Sequence, residues 1–75
     1  MRKIKVGDLL ESIHSLGISN DDGTDEESDG GEIFFVIEHD QPDGFNSGEY
    51  RIIRQKTLKI STWSVSGVKY NFNKV

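Results

Sequence analysis

The side chains best suited to chemistry are acidic, and they are concentrated in one stretch. Residues 19–32 contain seven Asp and Glu side chains and no Lys or Arg. Within this stretch, residues 25–30 place oxygen-bearing side chains at positions 1, 3 and 5 and a glycine at position 6, as in an EF-hand calcium loop. Position 12 of such a loop takes a bidentate glutamate, but here it is Val36. We therefore predict no specific metal site and no cofactor.

Residues that could act as acids, bases or nucleophiles are few. The chain has two histidines, His14 and His39, and no cysteine. Neither histidine lies in a Gly-x-Ser-x-Gly or His-Glu-x-x-His motif, and the glycines form no phosphate-binding loop. We therefore assign no catalytic residue and predict that the protein is not an enzyme.

A basic cluster follows the acidic stretch. Arg51, Arg54, Lys56 and Lys59 lie within nine residues, and Trp63 follows them. A basic groove with aromatic side chains is how small barrels hold single-stranded nucleic acid. The alternative is that the aromatic side chains belong to the core and the bases to a solvated strand face. Nucleic-acid binding through these five residues is thus the second functional hypothesis.

The charge is distributed unevenly along the chain. The net charge is −4, but residues 19–49 carry eleven acids and no Lys or Arg, whereas residues 50–75 carry six bases and no acid. Such asymmetry bears on partners and association rather than on fold. The acids either lie against the basic strand of the same molecule or bind a partner, and one form of binding is to mimic DNA. The candidate partner-binding residues are Asp21, Asp22, Asp25, Glu26, Glu27 and Asp29.

The elements that must position these groups are short strands. Residues 31–38 include five consecutive large apolar residues between breakers, which predicts a strand buried on both faces. Further strands are predicted at residues 2–6, 49–54, 58–60 and 68–72, with a bulge or bend near residues 61–62 and a turn at residues 66–67. Phe45 is expected in a loop. The acidic residues 19–32 are predicted to form a flexible, disordered loop, because they bury too little apolar surface to offset the entropy of ordering.

These elements predict a mainly β protein. Five or so short antiparallel strands in 75 residues indicate one small barrel spanning residues 1–75, because closure removes exposed edges. The alternative is an α+β fold with a short helix at residues 9–16. Leu9, Leu10, Ile13 and Leu16 form a helical stripe, and Asp8 is a candidate N-cap.

Location and association follow from the composition. No apolar stretch approaches the ~18–20 residues that a membrane span needs. The first residues contain no apolar region typical of a signal peptide. We therefore expect a soluble, cytoplasmic protein without a membrane partner. A chain this short has a thin core, which leaves a homodimer open as an alternative.

Several short motifs are similar to one family. The motifs are residues 5–9 (Lys-Val-Gly-Asp-Leu), the end of the apolar strand at residues 36–38, residues 50–52, Trp63 and the final residues 73–75. Together they resemble the small SH3-like β-barrel proteins of tailed bacteriophages. The resemblance implies a non-enzymatic phage protein that acts as a protein-interaction module, in the host cytoplasm or associated with a virion, with a host or phage protein as partner. The length of the acidic stretch and the helical pattern after Asp8 depart from the family pattern.

Overall fold

The fold is described from a computed structural model, which covers residues 4–40 and 48–75. Within these two ranges, seven strands and one helix follow one another. They are β1 (Leu9–Ser12), β2 (Leu16–Ser19), β3 (Asp25–Ser28), β4 (Ile33–Asp40), β5 (Glu49–Arg54), β6 (Ile60–Ser64), α1 (Val65–Asn71) and β7 (Phe72–Lys74). The protein is therefore mainly β, as the sequence predicted.

Five strands form one antiparallel sheet in the order β6-β5-β4-β1-β7. The apolar strand β4 lies at its centre, paired with β1 on one side and β5 on the other. The pairing of β4 with β5 shifts between Val36 and Glu38, which marks a β-bulge. Strands β2 and β3 form a separate hairpin. A single bridge between Asn20 and Ser61 joins this hairpin to the edge strand β6.

One face of the sheet carries the core. Leu10, Phe34 and Ile52 are fully buried on this inner face. The hairpin adds Leu16 and Ile18, and α1 adds Val65 and Val68, to the same cluster of buried side chains. The hairpin and the helix therefore form the second layer that a sheet with an apolar face requires.

The sheet is curled, but it does not close. The seven residues of α1 span only about 10 Å, whereas the edges of a flat five-stranded sheet lie about 19 Å apart. Accordingly, Trp63 on one edge strand packs edge-to-face on Phe72 of the other, with ring centroids 5.2 Å apart. No backbone pairing joins β6 to β7 in the part of the chain that the structure describes. The described residues thus form an open curled sheet rather than a closed barrel.

The predicted helix at residues 9–16 is replaced by strands. Leu10 and Ser12 on β1, and Leu16 and Ile18 on β2, alternate as buried positions. Asp8 does not cap a helix; its carboxylate accepts a hydrogen bond from the Lys5 amide at 2.8 Å. The helical pattern failed because so short a helix gains little by itself, whereas β1 pairs with β4 and β7, and β2 pairs with β3.

The helix that does form was not predicted. Residues 65–71 were expected to contain a turn and the start of a strand, but they form α1. Ser64 caps it by accepting a hydrogen bond from the Gly67 amide at 3.0 Å. Val65 and Val68 are buried three residues apart, while Tyr70 is 77% exposed. The expected strand is confirmed only from Phe72 onward.

Other strand predictions were partly right. Strand 49–54 is confirmed, and the strand predicted at residues 31–38 occupies residues 33–40. Residues 25–28 of the predicted acidic loop form β3, which pairs with β2. The bulge predicted near residues 61–62 is absent from β6, whose register with β5 is continuous. Residues 4–8 contain no strand, and the rest of the predicted strand at residues 2–6, like Phe45, lies outside the described residues.

The described residues include no membrane-spanning helix, since α1 has only seven residues.

Candidate functional site

The acidic and basic stretches meet where the hairpin lies over β5. At the centre of this contact is Arg54, which is only 5% exposed. Its Nε donates to Glu32 Oε1 at 2.8 Å and its Nη2 donates to Glu32 Oε2 at 3.0 Å. Nη2 also donates to the Glu27 carbonyl at 3.2 Å, and Nη1 lies 3.6 Å from Glu26 Oε2. A bidentate pair of this kind is stronger and more directional than a simple contact of charges.

Glu32 is held in place from its own turn. Burial opposes the negative charge of Glu32. The Asp29 amide donates to its Oε2 at 2.8 Å, and this hydrogen bond together with the Arg54 guanidinium outweighs burial and lowers the pKa of Glu32. The buried Ser12 hydroxyl donates to the Asp29 carbonyl at 2.9 Å and accepts from the Glu32 amide at 3.1 Å. The turn between β3 and β4 thus presents a charged carboxylate to Arg54.

Two weaker contacts lie around this buried pair. Lys59 Nζ is 3.6 Å from Asp22 Oδ2 and donates to Thr24 Oγ1 at 2.9 Å. Hydrogen bonds from the hydroxyl and amide of Thr24, together with Lys59, lower the pKa of Asp22. Arg51 Nε lies 3.8 Å from Asp21 Oδ2, and its Nη1 lies 3.5 Å from Glu38 Oε2. These side chains are exposed enough that solvent weakens their ion pairs.

Three of the four basic residues predicted to bind nucleic acid are already engaged in ion pairs within the chain. Arg51, Arg54 and Lys59 all contact acids of the same chain. Lys56 is exposed in the turn between β5 and β6. Trp63 is half-buried, and its Nε1 donates to Ser61 Oγ at 2.7 Å. The structure does not bring these five residues together as one open basic surface with an aromatic platform.

The six predicted partner-binding acids separate into two groups. Asp21, Asp22 and Glu26 face basic residues of β5 and of the segment that leads into β6. Asp25 and Glu27 lie on the other side of β3, Asp29 follows directly after the strand, and all three are exposed to solvent. We call these last three residues the acidic strip.

The acidic strip borders a shallow groove. The groove has a volume of about 430 Å³ and is lined by Ser15, Leu16, Gly17, Glu27, Ser28 and Asp29. Gly17 lies directly opposite Glu27 in the register of the hairpin, so no bulky side chain covers that carboxylate. The Ser28 hydroxyl is buried and has no hydrogen-bond partner among the described residues. An open groove flanked by carboxylates attracts positive charge.

Within residues 4–40 and 48–75, no three or more His, Asp or Glu side chains converge to hold a metal ion. Glu26 and Glu32 are acids that face inward. The Arg54 guanidinium lies between them and offsets their negative charge in place of a metal ion.

The histidines have structural surroundings. His39 stacks on Tyr50 with ring centroids 4.0 Å apart. The Tyr50 hydroxyl donates to the Ile4 carbonyl at 2.9 Å, and burial followed by the charge of Asp8 raises the pKa of Tyr50. His14 is exposed, and its Nδ1 lies 2.9 Å from the Ser15 carbonyl.

Sequence reasoning missed the roles of Glu32 and Asn20. Glu32 was treated as the end of a loop, although its position directly before the apolar strand β4 ties it to the sheet. Buried Asn20 donates from Nδ2 to Glu26 Oε1 at 3.1 Å and to Thr24 Oγ1 at 3.2 Å. An Asn-Asp-Asp-Gly sequence is a strong turn signal, and it could have indicated the tip of a hairpin.

Comparisons of the chain with protein-family models, with characterised proteins and with solved structures found no match.

Proposed function

We propose that the protein is a non-enzymatic protein-interaction module that binds an extended basic segment of its partner along the acidic strip. The observation that carries this proposal is the separation of the acids. Those on one side of the hairpin contact Arg51, Arg54 and Lys59, while Asp25, Glu27 and Asp29 face solvent beside an open groove. The internal ion pairs hold the hairpin on the sheet, and the acidic strip remains available for another molecule.

The geometry of β3 defines the kind of ligand. Side chains two residues apart on a strand lie roughly 6.6 Å apart on the same face. An extended peptide with Lys or Arg at every second position has the same spacing, so up to three of its cations align with the three carboxylates. Gly17 and Ser15 border the groove with little bulk, which leaves room for the peptide backbone.

We also propose a relationship to SH3-like barrels. The last strand β7 pairs with the first strand β1, a long hairpin separates β1 from β4, and a helical turn precedes β7. The curl that brings Trp63 onto Phe72 favours the same relationship. The phage origin and the host partner that the resemblance implies remain predictions.

The two other functional hypotheses have less support. Nucleic-acid binding would require Arg51, Arg54 and Lys59 to exchange their internal partners for phosphates. A DNA mimic would require a longer array of exposed carboxylates than the three residues of the acidic strip.

The proposal is tested with peptides and matched variants. A peptide with lysines at alternate positions is titrated into the labelled protein, and amide shifts and affinity are measured by NMR. We expect shifts centred on β2 and β3 and an affinity that falls as salt rises, because the contacts are exposed ion pairs. A peptide of equal charge with its lysines in adjacent pairs serves as the spacing control.

The triple variant Asp25→Asn, Glu27→Gln, Asp29→Asn should lose about tenfold in affinity, since each exposed pair contributes about 0.2–1 kcal/mol. The control variant Glu11→Gln, Asp40→Asn, Glu49→Gln removes the same charge from exposed positions on the other strands. Equal losses in the two variants, or equal binding of the two peptides, would show that only net charge matters and would refute the proposed site.

A further inference from the structure

The outer face of the five-stranded sheet, opposite the hairpin and α1, carries an apolar row that crosses β1, β4, β5 and β6 and ends at Val75, directly after β7. In the register of the sheet, Leu9 pairs with Phe35, Phe35 pairs with Ile53, and Ile53 pairs with Ile60. The row extends to Val75, whose amide donates to the Leu9 carbonyl at 3.0 Å. Ile33 lies on the same face of β4, two residues before Phe35. We call these six residues the outer apolar face.

The outer apolar face is accessible to solvent. Val75 is 65% exposed, Leu9 37% and Ile60 36%, while the other three side chains are half-buried. Strand spacing and rise give the patch an extent of roughly 20 by 15 Å. Apolar patches of a few hundred Å² on a small protein commonly mark interaction sites. In a sheet whose central strand is apolar on both faces, a second covering layer is expected.

We propose that the outer apolar face binds the same face of a second copy of this chain, forming a two-fold symmetric dimer. The acidic strip lies on the hairpin, on the opposite side of the sheet. The outer face has acids of its own at one end, where Glu38, Asp40 and Glu49 surround Arg51, so two chains of net charge −4 repel each other there at low salt.

The charged residues at the border of this face are self-complementary. Glu11 pairs with Ile33 near the start of β4, on the β1 side. Arg51 pairs with Glu38 near the end of β4, on the β5 side, and its side chain is 52% exposed. Its contacts within the chain, to Glu38 at 3.5 Å and to Asp21 at 3.8 Å, are exposed ion pairs that a carboxylate of the other copy can replace. Glu11 and Arg51 therefore lie diagonally opposite each other across Phe35. A two-fold axis that lies in the interface and passes over Phe35 brings each Glu11 next to Arg51 of the other copy. The strands of the two sheets then cross at a large angle, and crossed packing is one of the two common arrangements of stacked sheets.

The available area determines how strong the dimer is. Because the sheet is curled, the two faces meet mainly through their central strands. The contact buries on the order of 600–1,000 Å² in total, which is at the small end of specific interfaces. We therefore expect a weak, concentration-dependent dimer. This contact does not involve the acidic strip, so either proposal can fail without the other.

Sedimentation velocity and light scattering test the proposal, with the purified chain studied from about 10 µM to about 1 mM because small interfaces give weak complexes. The average mass should rise from 8.5 kDa toward twice that value and level off there. Raising salt from about 50 mM to about 500 mM should strengthen association, because screening reduces repulsion between two negative chains. A mass that stays at the monomer value throughout, or one that continues to rise beyond the dimer, overturns the proposal.

Two variants locate the contact. Leu9→Lys introduces a charge into the outer apolar face at a partly exposed position, and it should weaken dimerisation at least tenfold. Tyr70→Lys removes a more exposed apolar side chain from α1, and it should dimerise as the unmodified chain does. Circular dichroism confirms that both variants are folded. If Tyr70→Lys abolishes association and Leu9→Lys does not, the contact lies elsewhere and the proposal is wrong.

Charge reversal tests the two-fold arrangement independently. The proposed dimer contains two Glu11–Arg51 contacts. Glu11→Arg turns both into Arg–Arg contacts and Arg51→Glu turns both into Glu–Glu contacts, so each variant alone should associate several-fold more weakly. In a mixture, the heterodimer has opposite charges at both contacts, and association should recover. Failure of the mixture to associate better than either variant alone contradicts the crossed two-fold dimer.

Discussion

Replacing Arg54 with methionine tests whether one buried ion pair holds the hairpin on the sheet. Methionine keeps an unbranched apolar side chain of similar length but removes the guanidinium. Glu32 then loses its bidentate partner, and Glu26 loses the nearest positive charge. The Glu27 carbonyl also loses a hydrogen-bond donor.

The expected loss of stability follows from the burial of these groups. Removing one partner of a buried ion pair costs about 3–5 kcal/mol, because the other charge stays buried. The side chains of Glu32 and Glu26 are 17% and 16% exposed, so water relieves part of this cost. We therefore expect the free energy of unfolding to fall by about 2–3 kcal/mol, out of a total of about 4–11 kcal/mol for a domain of this size. The corresponding fall in Tm is roughly 10–20 °C.

The loss should also depend on pH in a defined direction. In the folded protein the pKa of Glu32 is lowered, because the Asp29 amide and Arg54 outweigh the effect of burial. Its charged form therefore stabilises the fold above its ordinary pKa of 4.5, and this stability is lost as pH falls through the folded value. Without Arg54, burial is opposed mainly by the hydrogen bond from the Asp29 amide, so the pKa of Glu32 is higher in the variant than in the unmodified protein. The deficit of the variant should then be largest near pH 7 and should shrink as pH falls toward 4.

Urea and thermal unfolding followed by circular dichroism at several pH values measure this deficit. Arg51→Met is the matched control, since Arg51 is half-exposed and its ion pairs are 3.5–3.8 Å long. We expect that control to lose less than about 1 kcal/mol. If the two variants lose equal stability, or if the deficit of Arg54→Met does not change with pH, the inference that this buried pair holds the hairpin is wrong.

Three further predictions concern backbone conformation and acid stability. Leu58 has φ +60° and is 70% exposed. Leu58→Asn should raise Tm by a few degrees, since a left-handed conformation costs most residues other than Gly and Asn about 1–2 kcal/mol. A lower Tm would show that the leucine side chain packs on the fold. Gly31 has φ +86°, so Gly31→Ala should lower the free energy of unfolding by about 1 kcal/mol or more. Gly17→Ala, where nothing lies within 4 Å of the added carbon, should leave stability nearly unchanged, and equal effects in the two variants would refute the assignment of strain. The third prediction is a fall in Tm as pH decreases from about 5 to 3, because the pKa values of Asp8 and Glu32 are lowered in the fold and their stabilisation disappears on protonation. A Tm that stays constant over this range would contradict it.

Strong local signals predicted the parts of the fold that depend on one segment alone. The apolar run of β4 predicted a strand, and so did the alternation in β5, and both strands are present. The prediction that β4 is buried on both faces was wrong, because the second layer covers only the inner face, with Phe34 and Val36, while Ile37 is 40% exposed. The absence of any apolar residue between residues 19 and 32 led to the prediction of a loop. That prediction was wrong for β3, because pairing with β2 and ion pairs to β5 and to Lys59 replace the missing apolar contacts.

Elements with two competing local patterns were assigned incorrectly. Residues 9–16 satisfied a helical stripe, but β4 and β7 are both available to pair with β1. Residues 65–71 satisfied an alternating pattern, but Ser64 caps a helix whose buried side chains are Val65 and Val68. In both cases a partner distant in sequence decided the outcome, and the local pattern does not encode that partner.

The sequence by itself determined that the chain is mainly β, that β4 is a core strand, and that opposite charges are segregated along the chain. Only the tertiary structure decided how those charges are used. The curl of the sheet brings the hairpin over β5, so that Arg54 is buried against Glu32 and Glu26 while Asp25, Glu27 and Asp29 remain in solvent. The physical reason is the alternation of side chains along a strand. Consecutive acids such as Glu26 and Glu27 point to opposite faces of β3. Only the position of the hairpin in the fold decides which of these faces meets a cation.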